Sequence, residues 1–177
     1  DLVSQAEHGV DSRAILATTS KQLLEEVGQL VWRFIEDLPL RDLAEQSLKK
    51  SFNLLVSSLD EALVFANQYA PEHLILEVNN PERWVSRVQN AGSVFLGSWS
   101  PEVAGDYASG TNHTLPTSGL AKAYSGVSVD TFVKRITFQK ITPKGLKGLA
   151  PTLKALAEME GLEGHQRAVK IREESQF

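Results

Sequence analysis

The sequence predicts an α/β fold: an incomplete Rossmann-like, mostly parallel sheet flanked by helices, with a small helical arm at the carboxyl terminus. Short apolar runs alternate with helical stripes as far as Leu96, the βαβα order of a parallel sheet covered by helices. After Thr142 the sequence predicts helices with an apolar face that are interrupted by glycine and proline. This segment is too short to form a core of its own, so it must pack on another domain or subunit. We therefore expect a partial α/β domain over 1–127 and an arm domain over 128–177.

The first half of the chain carries most of the predicted strands and helices. Residues 13–18 form a short apolar strand, and capping residues at 19–22 begin an amphipathic helix that runs through about Glu36. Pro39 separates this helix from the next one. The following elements are a helix over 41–50, a strand over 52–56, a capped helix from 58 to 68, a strand over 74–78, a helix over 81–90 and a strand over 93–96.

Beyond Leu96 the pattern changes. About twenty residues rich in Gly, Pro, Ser and Thr show no helical or alternating period, as expected of a functional or a disordered loop. Glycines and small residues around Asp106, Tyr107, Asn112 and His113 favour a functional loop, since a disordered linker would carry more charge and no aromatic residues. Farther on we expect a strand at 136–141, a tail helix interrupted early by Gly145, Gly148 and Pro151, and a last helix over 165–174.

Composition excludes several classes of function. The net charge of −4 is spread along the chain, which argues against a nucleic-acid-binding face, and no apolar run is long enough to cross a membrane. The absence of cysteine excludes disulfides, cysteine-ligated zinc and a thiolate nucleophile. Neither of the glycine-rich motifs that bind phosphate groups, G-x-G-x-x-G and G-x-x-x-x-G-K-[ST], occurs in the sequence. The chain begins at Asp1 without a Met, as expected of a fragment or a processed product.

Two pairs of residues have spacings that suit chemistry. Gln5 and His8 are three residues apart, so a helical turn would present both to one metal ion. Taken alone, this pair is better explained as an ordinary solvated helix end with His8 near a C-cap at Gly9. Glu72 and His73 lie at a junction between a helix and a strand, where a carboxylate and an imidazole could act as an acid–base pair. Taken alone, this second pair is again better explained as an ordinary solvated loop.

Four segments together closely resemble the histidinol dehydrogenase family: SQAEHG, APEHL, GSVFLG-x-WSPE-x-AGDYASGTNHTLPT and EGLEGHQRAV. The resemblance runs from Asp1 to about Glu173 and covers the carboxy-terminal part of the family's chain, less than half of a usual member. It implies a zinc-dependent, NAD-linked oxidation of L-histidinol through L-histidinal to L-histidine, in the cytoplasm or in the plastid of a plant. The family's NAD-contacting domain lies upstream, which leaves this chain without an evident cofactor site.

The same resemblance implies roles for individual residues. Gln5, His8 and Asp106 resemble zinc ligands, and His165 resembles the fourth ligand, contributed by the other subunit of a homodimer. Glu72 resembles one member of the catalytic pair. The full set of implied substrate-contacting residues is Gln5, His8, His73, Asp106, His113, Glu160 and His165, with His73 also the second catalytic residue.

The chemistry agrees with these roles. Zinc cannot change its oxidation state, so it would orient and polarise the substrate. Because the chain has no cysteine, the aldehyde must be hydrated rather than trapped as a thiohemiacetal, and Glu72 could activate the water. Two other functions stay open: a non-catalytic fragment or binding module that keeps the motifs, and a zinc hydrolase in which Glu72 activates water on an amide or ester.

Overall fold

The computed structural model describes residues 1–174, which fall into two compact units. The first comprises Asp1–Phe132, and the second begins at Val133. None of the helices within residues 1–174 combines the length and the apolar character that a bilayer span requires.

The first unit alternates helices with parallel strands, which confirms the α/β class. Its helices are α1 (Leu2–Glu7), α2 (Lys21–Phe34), α3 (Arg41–Leu48), α4 (Leu59–Tyr69) and α5 (Glu102–Tyr107), and its strands are β1 (Ile15–Thr18), β2 (Phe52–Leu55), β3 (His73–Leu76) and β4 (Ser93–Leu96). Strand β1 pairs with β2, and β3 pairs with β4, both in parallel. Among the described residues these are two separate two-stranded sheets.

Local capping explains why several elements begin and end where the sequence predicts. The Ser20 hydroxyl accepts a hydrogen bond from the Leu23 amide at the start of α2, and the Ser58 hydroxyl accepts one from the Glu61 amide at the start of α4. Helix α4 ends at Ala70, whose φ of 55° is left-handed, and Pro71 prevents the helix from continuing. This ending places Glu72 just before β3 and His73 at its first residue.

A small apolar core fixes α1. Ala6, Ile35 and Ala44 are almost completely buried and pack together with Val3, Leu38 and Leu48. These contacts join α1 to α3 and to the end of α2, so they set the orientation of the helix that carries Gln5 and His8.

Two predictions for the first unit need correction or refinement. The stretch after Leu96 is not structureless, because it contains α5; a six-residue helix is too short to show a period in the sequence. The helix expected over 81–90 is a 3₁₀ helix, Pro81–Arg87, and the Asn80 side chain makes no capping hydrogen bond. Two more 3₁₀ turns follow α5, at Leu120–Lys122 and Val129–Phe132.

The second unit is a helical hairpin of α6 (Pro143–Met159) and α7 (Glu163–Glu174). The predicted early breaks in the tail are wrong, because α6 runs continuously through Pro151; an internal proline removes one backbone hydrogen bond without having to end a helix. Gly161, with a φ of 69°, makes the turn into α7.

The strand predicted at 136–141 is also wrong, since the structure has no strand there. A strand needs a hydrogen-bonding partner, and none pairs with this segment among the described residues. Its apolar side chains instead lie open to solvent, with Ile136 70% exposed and Phe138 92% exposed.

Candidate active site

The centre of the candidate site is His73, the first residue of β3. Pairing with the neighbouring strand holds its backbone: the Ser93 amide donates to the Glu72 carbonyl at 2.8 Å, and the Gly92 amide donates to the Pro71 carbonyl at 2.9 Å. A side chain at Gly92 would place its Cβ 2.6 Å from the Glu72 carbonyl oxygen, so this close approach requires glycine. The backbone of the Glu72–His73 pair is therefore firmly positioned.

The His73 side chain is only 7% exposed and has a neighbour at each ring nitrogen. Its Nδ1 lies 3.3 Å from Oε1 of Gln5, and its Nε2 lies 3.6 Å from Oε1 of Glu102. The ring packs near Phe95, with 5.9 Å between the ring centroids, and the His8 ring centroid is 6.4 Å away. A histidine with both nitrogens facing polar side chains is oriented for chemistry rather than for packing alone.

Helix α5 brings two carboxylates to this histidine. Glu102 and Asp106 are four residues apart, so they share one face of the helix. Gly105 lets α5 pack closely on β4, since a Cβ at this position would lie 2.7 Å from a ring carbon of Phe95. Glu102 is 3% exposed, and Asp106 is half-buried.

His8, Glu102 and Asp106 form a group that could hold a metal ion. One ligand atom from each lies within 4.8 Å of the other two. Zinc–ligand bonds of roughly 2.0–2.2 Å require neighbouring ligand atoms about 3.3 Å apart. The three ligand atoms would therefore have to approach one another by at most about 1.5 Å to bind one zinc ion. Gln5 lies one helical turn before His8 on α1, and its amide oxygen is another hard ligand. This set of nitrogen and oxygen donors fits zinc.

The charges at the site also favour a bound cation. Two carboxylates lie side by side, and no lysine or arginine within residues 1–174 makes an ion pair with either. Burial raises the pKa of Glu102 above its usual range; the nearby Asp106 carboxylate raises it further, and His73 opposes both effects. A bound cation or a proton would reduce the repulsion between the two carboxylates.

Two buried atoms at the site have no hydrogen-bond partner, His73 Nε2 and Glu102 Oε1. They face each other at 3.6 Å, slightly too far for a hydrogen bond. Buried polar atoms are almost always paired, and these two lie close enough for a small shift to pair them with each other.

The structure places the other predicted residues as follows. The Glu72 side chain is half-buried beside His73 in the chain, and His113 is exposed on the loop after α5. Glu160 and His165 lie in the second unit, where both line a groove of about 440 Å³ between α6 and α7. Of the predicted residues, the structure thus brings Gln5, His8, His73 and Asp106 together in the first unit, and Glu160 and His165 together in the second.

Glu102 is the residue that sequence reasoning missed. Its spacing of four from Asp106 signals a shared face only if this stretch is helical, whereas the sequence pattern there predicts a loop. Proline at the N-cap and glycine within the helix concealed the helix. Its near-complete burial, unusual for a glutamate, became visible only in the folded chain.

Comparisons with known proteins agree along nearly the whole chain. The sequence profile of the histidinol dehydrogenase family matches residues 1–173. A histidinol dehydrogenase of Bacteroides thetaiotaomicron is 57% identical over 172 residues, which are 97% of this chain and 40% of that protein. A relative from Arabidopsis thaliana, named as chloroplastic histidinol dehydrogenase, is 47% identical over 97% of this chain and 37% of its own length.

The fold is also similar to a solved structure. The crystal structure of histidinol dehydrogenase from Elizabethkingia anophelis superposes with a TM-score of 0.91 and 49% identity, covering 97% of this chain and 40% of that one. The chain thus spans about 40% of the length of the bacterial relatives it matches. On the family profile and these identities, the chain belongs to the histidinol dehydrogenase family.

Proposed function

We propose that the protein containing this chain oxidises L-histidinol through L-histidinal to L-histidine with zinc and NAD, and that this chain supplies most of the metal-binding and acid–base residues. The observation that carries the proposal is that His8, Glu102 and Asp106 come together beside the buried His73. Both ring nitrogens of this histidine have polar neighbours. Residues 2–107 contribute these groups from three different elements, and membership of the histidinol dehydrogenase family supports this choice of reaction.

The zinc ligands in this proposal are Gln5, His8 and Asp106, with His165 as the fourth. When bound, zinc supplies a Lewis-acidic centre that orients the imidazole and amino groups of histidinol. Asp106 contributes the negative charge that favours a cation, while His8 and Gln5 contribute neutral donors from one turn of α1. The chain has no cysteine, so the ligand set contains no sulfur.

His73 is the proposed base of the first oxidation. It accepts the hydroxyl proton of histidinol as the carbon-bound hydrogen leaves as hydride, which gives histidinal and a protonated imidazole. NAD supplies the hydride acceptor, and its binding residues are proposed to lie in the upstream part of the protein. Burial of the His73 side chain keeps bulk water from competing for the proton.

Glu72 is the proposed base of the second half-reaction. It removes a proton from water as the water oxygen adds to the histidinal carbonyl carbon, which gives the oxyanion of the hydrated aldehyde. Loss of hydride from that carbon to a second NAD then yields the carboxylic acid. The backbone bond from Ser93 to the Glu72 carbonyl holds this residue beside His73.

For the second unit we propose exchange between the subunits of a homodimer, so that His165 and Glu160 complete the partner's site. Both residues lie along one groove of the helical hairpin, which could carry them as a pair. Mixing a His165→Ala subunit with an Asp106→Ala subunit would then leave one intact site in each heterodimer. We expect NADH formation to recover toward half of wild type per heterodimer. Parent-level activity in demonstrably mixed dimers would contradict the exchange.

The function itself is tested with a full-length protein that carries this segment. We expect two NADH per L-histidinol consumed, loss of activity after chelation, and recovery on adding zinc. A zinc hydrolase would instead cleave histidine esters or amides without reducing NAD, and a non-catalytic module would do neither. Hydrolysis without NADH, or zinc-loaded protein inert in both assays, would overturn the proposal.

A further inference from the structure

We infer that Glu102 is a positioning residue for His73: it holds the hydrogen of the imidazole on Nε2 and so leaves Nδ1 as the atom that accepts the substrate proton. This inference rests on the proposed function, because it assigns a partner to the proposed base. It concerns a residue of α5 that the sequence did not single out.

The first support is the burial of the two atoms. His73 Nε2 and Glu102 Oε1 are both inaccessible to solvent and lack any other partner among the described residues. A nitrogen sealed inside the protein cannot meet a substrate arriving from outside. We therefore assign Nδ1 as the ring atom that meets the substrate hydroxyl; it faces Gln5 and the proposed metal-binding side.

The second support is the chemistry of the two contacts. A neutral imidazole carries one hydrogen, so it can donate either to Gln5 or to Glu102. If the Gln5 amide oxygen is a metal ligand, it is no longer available to His73. The remaining partner is Glu102, and a carboxylate that accepts from one ring nitrogen fixes the tautomer and leaves the other nitrogen free as a base.

The third support is that the packing of α5 fixes the position of Glu102 relative to His73. Its side chain has no lysine or arginine partner within residues 1–174, so it does not serve an ordinary buried salt bridge. Helix α5 is held against β4 at Gly105 and Phe95, which fixes the distance from Glu102 to His73. A shift of only about 0.6 Å would bring the two unpaired atoms to a normal hydrogen-bond length of roughly 3.0 Å.

A direct metal-binding role for Glu102 is the competing explanation, since it belongs to the group with His8 and Asp106. The unpaired atoms favour positioning: Oε1 of Glu102 is buried without a hydrogen-bond partner and lies 3.6 Å from the equally unpaired Nε2 of His73. The two roles differ in their effect on zinc affinity, which makes them separable by experiment.

The experiment uses Glu102→Gln and Glu102→Leu in the full-length, zinc-loaded enzyme, each alone and combined with His73→Asn. Glutamine can still accept a hydrogen bond from Nε2, so we expect it to lower kcat by about tenfold or less, and leucine by about 10–100-fold, the range usual for partners of a functional histidine. We expect the KM for histidinol and the zinc dissociation constant, measured by chelator competition, to change less than about threefold. In the His73→Asn background neither change at Glu102 should lower kcat further.

Glu61→Gln is a matched control, because it removes a carboxylate that likewise accepts hydrogen bonds, here from Ser57 at the start of α4. It should leave kcat unchanged. If Glu102→Leu does not fold, the double-mutant cycle of Glu102→Gln with His73→Asn is sufficient to test the positioning role. Losses that add to that of His73→Asn overturn the positioning role, and so does weakening of zinc binding by more than about tenfold. If His73→Asn itself leaves the rate unchanged, the proposed base is wrong and the inference falls with it.

Discussion

Replacing His73 with asparagine, in a full-length enzyme that carries this segment, should slow the oxidation of histidinol to histidinal by about 10²–10⁴-fold, the usual contribution of a general base. Asparagine retains polar contacts toward Gln5 but cannot accept a proton at neutral pH. The side chain is buried at the start of β3, so solvent cannot easily replace it. Rapid measurement of NADH from the first half-reaction isolates this step from the second.

Glu72→Gln should give the complementary result. Glutamine keeps the size of the side chain and removes its basicity, so conversion of added histidinal to histidine should slow far more than oxidation of histidinol. Both half-reactions are measured for both variants, with zinc content as the check that the site is intact. Equal losses in the two half-reactions for both variants would contradict the proposed division between His73 and Glu72.

The sequence predicted those parts of the fold that local interactions determine. The strand over 93–96 was placed correctly because a run of apolar residues bounded by Gly92 and Gly97 is a local signal. The start of α4 was correct because Ser58 caps it through a contact three residues away. Short helices stabilised by packing were harder: α5 depends on Gly105 lying against Phe95, a contact that no local pattern records.

The same distinction applies to the candidate site. The resemblance of SQAEHG and AGDYASG to family motifs pointed to His8 and Asp106, and the structure brings both into one group. Glu102 escaped notice because its meaning depends on burial and on a contact with His73, 29 positions away in the sequence. The failed strand at 136–141 shows the converse, because a β-like pattern forms no strand where it finds no partner.

Removal of a metal ligand is the other change with a large expected effect. His8 and Asp106 come from different elements, α1 and α5, yet their ligand atoms lie within 4.8 Å of each other. Truncating either to alanine leaves too few donors for a four-coordinate zinc, and we expect the affinity for zinc to fall by more than about 100-fold. Activity should be lost in parallel and should return only partly at high zinc concentration.

Asp11→Ala provides the matched control, because Asp11 is an exposed aspartate that pairs with Lys50 and takes no part in the site. The decisive measurement is the zinc content per subunit of wild type, His8→Ala, Asp106→Ala and Asp11→Ala after equal dialysis against a weak chelator. We predict that wild type and Asp11→Ala retain about one zinc per subunit, the occupancy of a single four-coordinate site, and that the other two retain almost none. Undiminished zinc in both His8→Ala and Asp106→Ala would contradict the proposed metal centre.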